Sequence, residues 1–212
     1  MSHTHIAIAS VALLTIGASL ASASTITFTE SAVASGVLGS TSFTNSLITL
    51  TATGDTSTVT ESPPGFFRSN VPDISIDIAS VGIATIMGGQ VFSCGDNLCL
   101  STPPLPHAAG GFSPNPSVGR DILDTVDEAF NTYHLTTSIG PITDSSLINA
   151  SFPFNTDRGV FEISSAGNAT FTARAAATVP EPGSIALLGF ALMGLAVLKS
   201  RYSASVSVHS PK

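Results

Sequence analysis

Asp73-Ile74-Ser75-Ile76-Asp77-Ile78 alternates strictly between a polar residue and isoleucine. In an extended chain, successive side chains leave opposite faces. Ile74, Ile76 and Ile78 therefore share one face, and Asp73, Ser75 and Asp77 share the other. On a helix the same six residues would scatter around the axis. The stretch reads as a strand with one buried and one wetted face, the signature of an antiparallel sheet.

Outward from this stretch the same signal recurs. Residues 24–30 (STITFTE) and 47–53 (LITLTAT) alternate in the same way, and Gly54-Asp55 marks a turn that would return 56–60 as a hairpin partner. Residues 35–42 carry two glycines and read as a turn or a short strand. Pro63-Pro64-Gly65 breaks the pattern, and Phe66 and Phe67 behind it would pin a loop to the core. Residues 82–87 and 90–92 form the next expected hairpin, around Gly88-Gly89. Further strands are expected at 131–139, 146–152, 158–163 and 168–175, the last two joined by 164–167. About ten short strands with Gly, Pro and Asp turns point to an all-β domain of β-sandwich or jelly-roll type. Its expected core is Ile48, Leu50, Ile74, Ile76, Ile78, Phe161 and Phe171.

Two segments depart from the strand pattern. Residues 93–119 hold five prolines and four glycines and read as a long loop. The chain's two cysteines, Cys94 and Cys99, lie in it. Outside the cytoplasm such a pair favours a disulfide worth about 2 kcal/mol, which would shape the loop locally. A metal site is the alternative, with His107 as the nearest further ligand. Residues 120–129 place Asp121, Asp124, Asp127 and Glu128 at helical spacing, with Ile122, Leu123 and Val126 inward. That predicts a short amphipathic helix with a solvated acidic face. A Ca²⁺ site is the alternative, although the regular Asp-x-Asp-x-Asp-Gly loop is missing.

Charge narrows the partners. All fourteen acidic residues except Glu181 fall in 24–178, against only Arg68, Arg120, Arg158 and Arg174. A body this acidic repels nucleic acid and anionic lipid. No G-x-S-x-G elbow, zinc motif or phosphate-cradling loop occurs, and beyond residue 23 the histidines of the body are His107 and His134. The sequence predicts no catalytic residue, no bound metal and no cofactor.

The two ends of the chain differ in kind. Residues 6–20 are apolar apart from Ser10, Thr15 and Ser19, and Ala21-Ser22-Ala23 follows as an A-x-A cleavage site. Residues 1–23 thus read as a secretory signal peptide removed before Ser24, with Ala21 and Ala23 marking the cleavage site, and precede a β-rich extracellular domain at 24–178. Beyond the domain stands Val179-Pro180-Glu181-Pro182-Gly183-Ser184, and residues 185–198 carry no charge before Lys199 and Arg201. Fourteen helical residues span about 21 Å, short of a roughly 30 Å hydrocarbon core. Residues 184–198 reach a minimal transmembrane span if Lys199 and Arg201 snorkel as a basic stop. That leaves 202–212 as a cytoplasmic tail.

The order Pro-Glu-Pro, short apolar helix and basic stop over 179–201 resembles the PEP-CTERM sorting domain of exported proteins in exopolysaccharide-producing Gram-negative bacteria. The resemblance implies a membrane-embedded processing enzyme, an exosortase, that acts near Val179, Pro180, Glu181 and Pro182. It also implies passage through the inner membrane, transient anchoring there, and delivery to the cell surface or extracellular matrix. This chain departs from the pattern in having only two basic residues at the stop and a long tail after them. The expected role is structural or adhesive. Binding of extracellular polysaccharide by the β-domain is the alternative, and a secreted hydrolase is a more distant one.

Overall fold

The computed structural model describes residues 24–96, 98, 107–114, 121–148 and 153–176. Eleven strands make up almost all of the described regular structure: β1 (Thr25–Leu38), β2 (Thr41–Asp55), β3 (Thr60–Glu61), β4 (Phe66–Ile78), β5 (Gly82–Cys94), β6 (Ala109–Ser113), β7 (Leu123–Val126), β8 (Ile139–Asp144), β9 (Ser146–Leu147), β10 (Phe154–Thr156) and β11 (Gly159–Ala175). Short 3-10 turns at Thr56–Thr58 and Glu128–Thr132 are the only helical elements among the described residues. The all-β expectation holds.

All strands belong to one antiparallel sheet, in the order β10-β11-β1-β2-β4-β5-β6-β7-β9, with β3 added to β4 and β8 to β11. Successive strands are neighbours, so the sheet is a meander, and β11 returns to lie beside β1. Only Ser145 separates β8, which pairs with β11, from β9, which pairs with β7. That stretch joins the two ends of the sheet and nearly closes it. Closure hides edge strands that would otherwise be open to pairing with other chains.

The isoleucine row of β4 faces inward as its alternation requires. Ile74, Ile76 and Ile78 are fully buried, and so are Ile48, Leu50, Phe161 and Phe171. Phe130 and Tyr133 meet the Phe171 ring edge-on, at centroid distances of 5.3 and 6.2 Å, and Phe28 lies against it at 6.4 Å. A second, smaller cluster of Phe92, Cys94, Ala109 and Val126, with Phe66 and Leu147 against it, forms on the other side of the sheet.

Several local expectations are corrected. The helix expected over 120–129 is not found over 121–129, the described part: Leu123–Val126 is strand β7, and a 3-10 turn starts at Glu128. Ile122, Leu123 and Val126 are buried as expected, but so is Asp124. The expected strand at 131–139 is broken by Leu135, which is buried with φ of 61°. Residues 56–60 make a 3-10 turn and the two-residue β3 in place of a long hairpin arm. Residues 82–94 are one strand, with Gly88 at φ 74° as an irregularity inside it. Residues 158–163 and 168–175 likewise fuse into β11, with register shifts against β1 where the loop was expected. The long loop at 93–119 contains a strand, β6.

Candidate functional site

The chain enters and leaves the sheet at one end. Ile26 near the start of β1 pairs with Ala175 at the end of β11. The Ala176 amide donates to the Thr25 carbonyl at 2.7 Å, and the Ala175 amide donates to Ser138 Oγ at 2.9 Å. On the other side of β1, the Thr56 amide donates to the Ser24 carbonyl at 3.1 Å. The Ser24 and Thr56 hydroxyls lie 3.2 Å apart. Asp55 accepts from the Ser57 amide and hydroxyl at 2.8 and 2.7 Å, which holds its carboxyl below the usual range. The β1–β2 turn at Gly39 and the β10–β11 turn at Arg158 stand at the opposite end, where Gly39 N donates to Val160 O.

A shallow cleft of about 240 Å³ lies toward that opposite end. It opens where β1 slips register against both of its neighbours. Ser35, Ser42, Thr44 and Ser164 supply hydroxyls, Glu162 a carboxylate and Phe43 an aromatic wall. A Cβ on Gly36 would sit 2.0 Å from the Glu162 carbonyl, so a glycine is what lets β11 approach here.

A second depression gathers His107, Asp127, Glu128 and Asp144. Asp127 is occupied in capping the turn that follows it, accepting from Ala129 N at 2.7 Å, and Asp144 accepts from Ser145 N. Among the described residues, no group of three or more His, Cys, Asp or Glu is arranged to hold a metal ion. The four acids at helical spacing are divided by the strand: Asp127 and Glu128 line this depression, whereas Asp124 is buried. His134 is not on a strand; its ring stacks on Phe67 at 4.3 Å.

The least expected feature is an acid in the core. Glu30 falls in the inward row of β1 with Ile26 and Phe28 and is fully buried. Its Oε1 accepts from Thr125 Oγ1 of β7 at 2.7 Å, while Oε2 has no hydrogen-bond partner among the described residues. Burial drives its carboxyl well above the ordinary range, against the pull of the Thr125 bond, and the Asp121 charge adds to the rise. Burial also raises Asp124, helped by Asp121 and Glu30, and raises Asp121 to about 6. The alternation of ITFTE places Glu30 in the apolar row, a signal present in the sequence but masked by the residue's polarity.

The last strand runs straight into the segment that decides the chain's handling. Residues 178–201 match the PEP-CTERM protein-sorting motif. The chain carries a PEP-CTERM sorting motif. Such a motif marks a protein that is exported, transiently anchored in a membrane, processed by an exosortase and sorted to the cell surface. No curated protein and no solved structure matches the chain.

The match covers Val179, Pro180, Glu181, Pro182, Lys199 and Arg201. These residues lie outside the described ones, as do Ala21 and Ala23, the tail 202–212 and the expected span 184–198. No helix among the described residues is long and apolar enough to cross a membrane. Cys94 ends β5, fully buried, with Sγ 3.5 Å from Ala109 O. The Cys99 half of the expected disulfide also falls outside the described residues.

Proposed function

We propose that this chain is a structural or adhesive protein of the cell surface or extracellular matrix, and not an enzyme. The observation that carries the reading is the sorting motif at 178–201, set directly after a nearly closed β-sheet body. A closed sheet with a packed aromatic core suits a protein exposed outside the cell, because few backbone edges are left for aggregation or proteolysis. Export begins in this reading with a signal peptide at 1–23, cleaved after Ala23. Cys94 and Cys99 form a disulfide once the chain leaves the cytoplasm. The inner membrane holds the chain through 184–198 until processing.

Deletion of 178–201, followed by cell fractionation, tests the role of the motif in display. The intact protein is expected at the surface, and the deleted form free in the medium or periplasm. Equal surface retention of both would defeat the reading. Mass spectrometry of the non-reduced protein tests the bridge: a peptide carrying Cys94 and Cys99 that takes up alkylating agent only after reduction supports it, and two cysteines alkylated without reduction would rule it out.

The hydroxyl-lined cleft favours a second reading, binding of a neutral polysaccharide. Ser35, Ser42, Thr44 and Ser164 offer donors and acceptors, Glu162 accepts, and Phe43 offers an apolar wall. At about 240 Å³ the cleft is smaller than the roughly 300–1,000 Å³ of drug-sized sites, so it suits one unit of a longer chain. A glycan array with residues 24–176 and the Glu162→Ala variant separates the readings: binding lost in the variant supports the second, and no binding to any glycan removes it.

A further inference from the structure

The distance between the folded body and the processing site is set by the chain itself. Ala176 is still bonded to Thr25, and Glu181 follows only five residues later. Five residues reach at most about 18 Å when fully extended. An enzyme acting at the Pro-Glu-Pro motif must therefore work within that distance of the sheet end where β1 starts and β11 stops. That rim is built from Ser24, Thr25, Asp55, Ser57, Thr58 and Ser138.

We propose that this rim is a docking surface for the extracytoplasmic face of the processing enzyme, and that the body stands on the enzyme with its β1–β2 turn pointing away. The proposal rests on the processing reading given above. The chemistry of the rim favours a protein over lipid. Its side chains are hydroxyls and the Asp55 carboxylate, which the Ser57 bonds hold ionised. The exposed large apolar residues Val33, Leu47, Ile83, Met87, Leu98 and Val160 are not among them, so among the described residues the rim presents no apolar wedge for a bilayer. The body's excess of carboxylates also opposes an anionic lipid surface. A partner offering amide and hydroxyl donors fits such a rim. The cleft beside Gly36 lies about eleven residues further along β1, roughly 36 Å away, and stays open to solvent in this orientation.

The test uses the full-length chain in cells that process it, with a photo-cross-linking amino acid placed at Thr58 on the rim or at Ser40 on the far turn. Capture of the processing enzyme from Thr58 and not from Ser40 is expected. A ten-residue Gly/Ser insertion between Ala177 and Thr178 adds a mean span of about 17 Å. Because the rim itself holds the enzyme, capture from Thr58 is expected to persist within about twofold while processing continues, whereas a fall of about fivefold or more would show that the tether alone enforced contact and would overturn the docking surface. Equal capture from both positions, or capture from Thr58 of only lipid or a second copy of the chain, overturns the docking surface and leaves processing intact. A chain that keeps its C-terminal residues in every form overturns processing and the docking surface together.

Discussion

Glu30 shows how one residue can set the pH response of the domain. Burial holds its carboxyl protonated to higher pH in the fold than in the unfolded chain, where it ionises at an ordinary value of 4.5. Below that value both states are protonated and stability is complete. As pH rises, the unfolded state gains by ionising, and stability falls until the folded group ionises too. Asp121 acts in the same direction between 3.8 and about 6, at a cost of about 3 kcal/mol by pH 8. The melting temperature is therefore expected to fall from pH 4 to pH 8. Glu30→Gln should reduce that fall and raise stability at pH 8 by about 1–2 kcal/mol, because an amide can keep the Thr125 contact without ionising. A pH-independent melting temperature in the parent protein would contradict this account. Phe171 makes the complementary case. It touches Phe28, Phe130 and Tyr133, and Phe171→Ala should cost about 3–5 kcal/mol in denaturant unfolding. The inward place of Phe171 was legible from alternation, and so was that of Glu30. The upward shift of Glu30's carboxyl was not, because it comes from complete burial among strands distant in the chain, against the pull of the Thr125 bond.

At the scale of elements, strand β6 departs furthest from what residue preferences suggest. Ala109-Gly110-Gly111-Phe112-Ser113 has poor strand propensity, and local reasoning places it in a loop. Packing explains the strand. A Cβ on Gly110 would lie 2.3 Å from the Phe130 ring, and one on Gly111 would lie 2.4 Å from Asp124 Oδ1. The missing side chains make room for an aromatic ring on one face and a carboxylate on the other. Gly110→Ala should therefore destabilise the domain by about 1–3 kcal/mol despite alanine's better propensity, a change readable in the denaturant midpoint. An unchanged or higher midpoint would show that Phe130 yields freely. The failed helix at 120–129 has a related cause. Ile122, Leu123 and Val126 are buried in this arrangement as well, the first two in the main core and Val126 in the second cluster, and backbone pairing of β7 with β6 and β9 decides for the strand. Hydrogen exchange should rank the elements. Amides shared among β1, β2 and β11 are expected to exchange slowest, and those of β3, β9 and β10, each two or three residues long, fastest.

For the whole molecule, composition and alternation were enough to indicate an antiparallel β-body, and residues 179–201 were enough to indicate its handling. The order of strands was not legible. Closure depends on β11 reaching β1 across most of the chain and on Ser145 carrying the backbone from β11's edge to β7's, and neither leaves a local mark. The same closure places the start of β1 beside the end of β11, so the body is held by one end, close to the sorting motif. The central claim is that this motif is a removable signal. Intact mass of the protein recovered from the cell surface, compared with that of Glu181→Ala, tests it most directly. The account predicts a wild-type chain that ends near Pro180–Pro182 and a variant that retains Lys199, Arg201 and Lys212. A wild-type chain at the surface that still ends at Lys212 would contradict it.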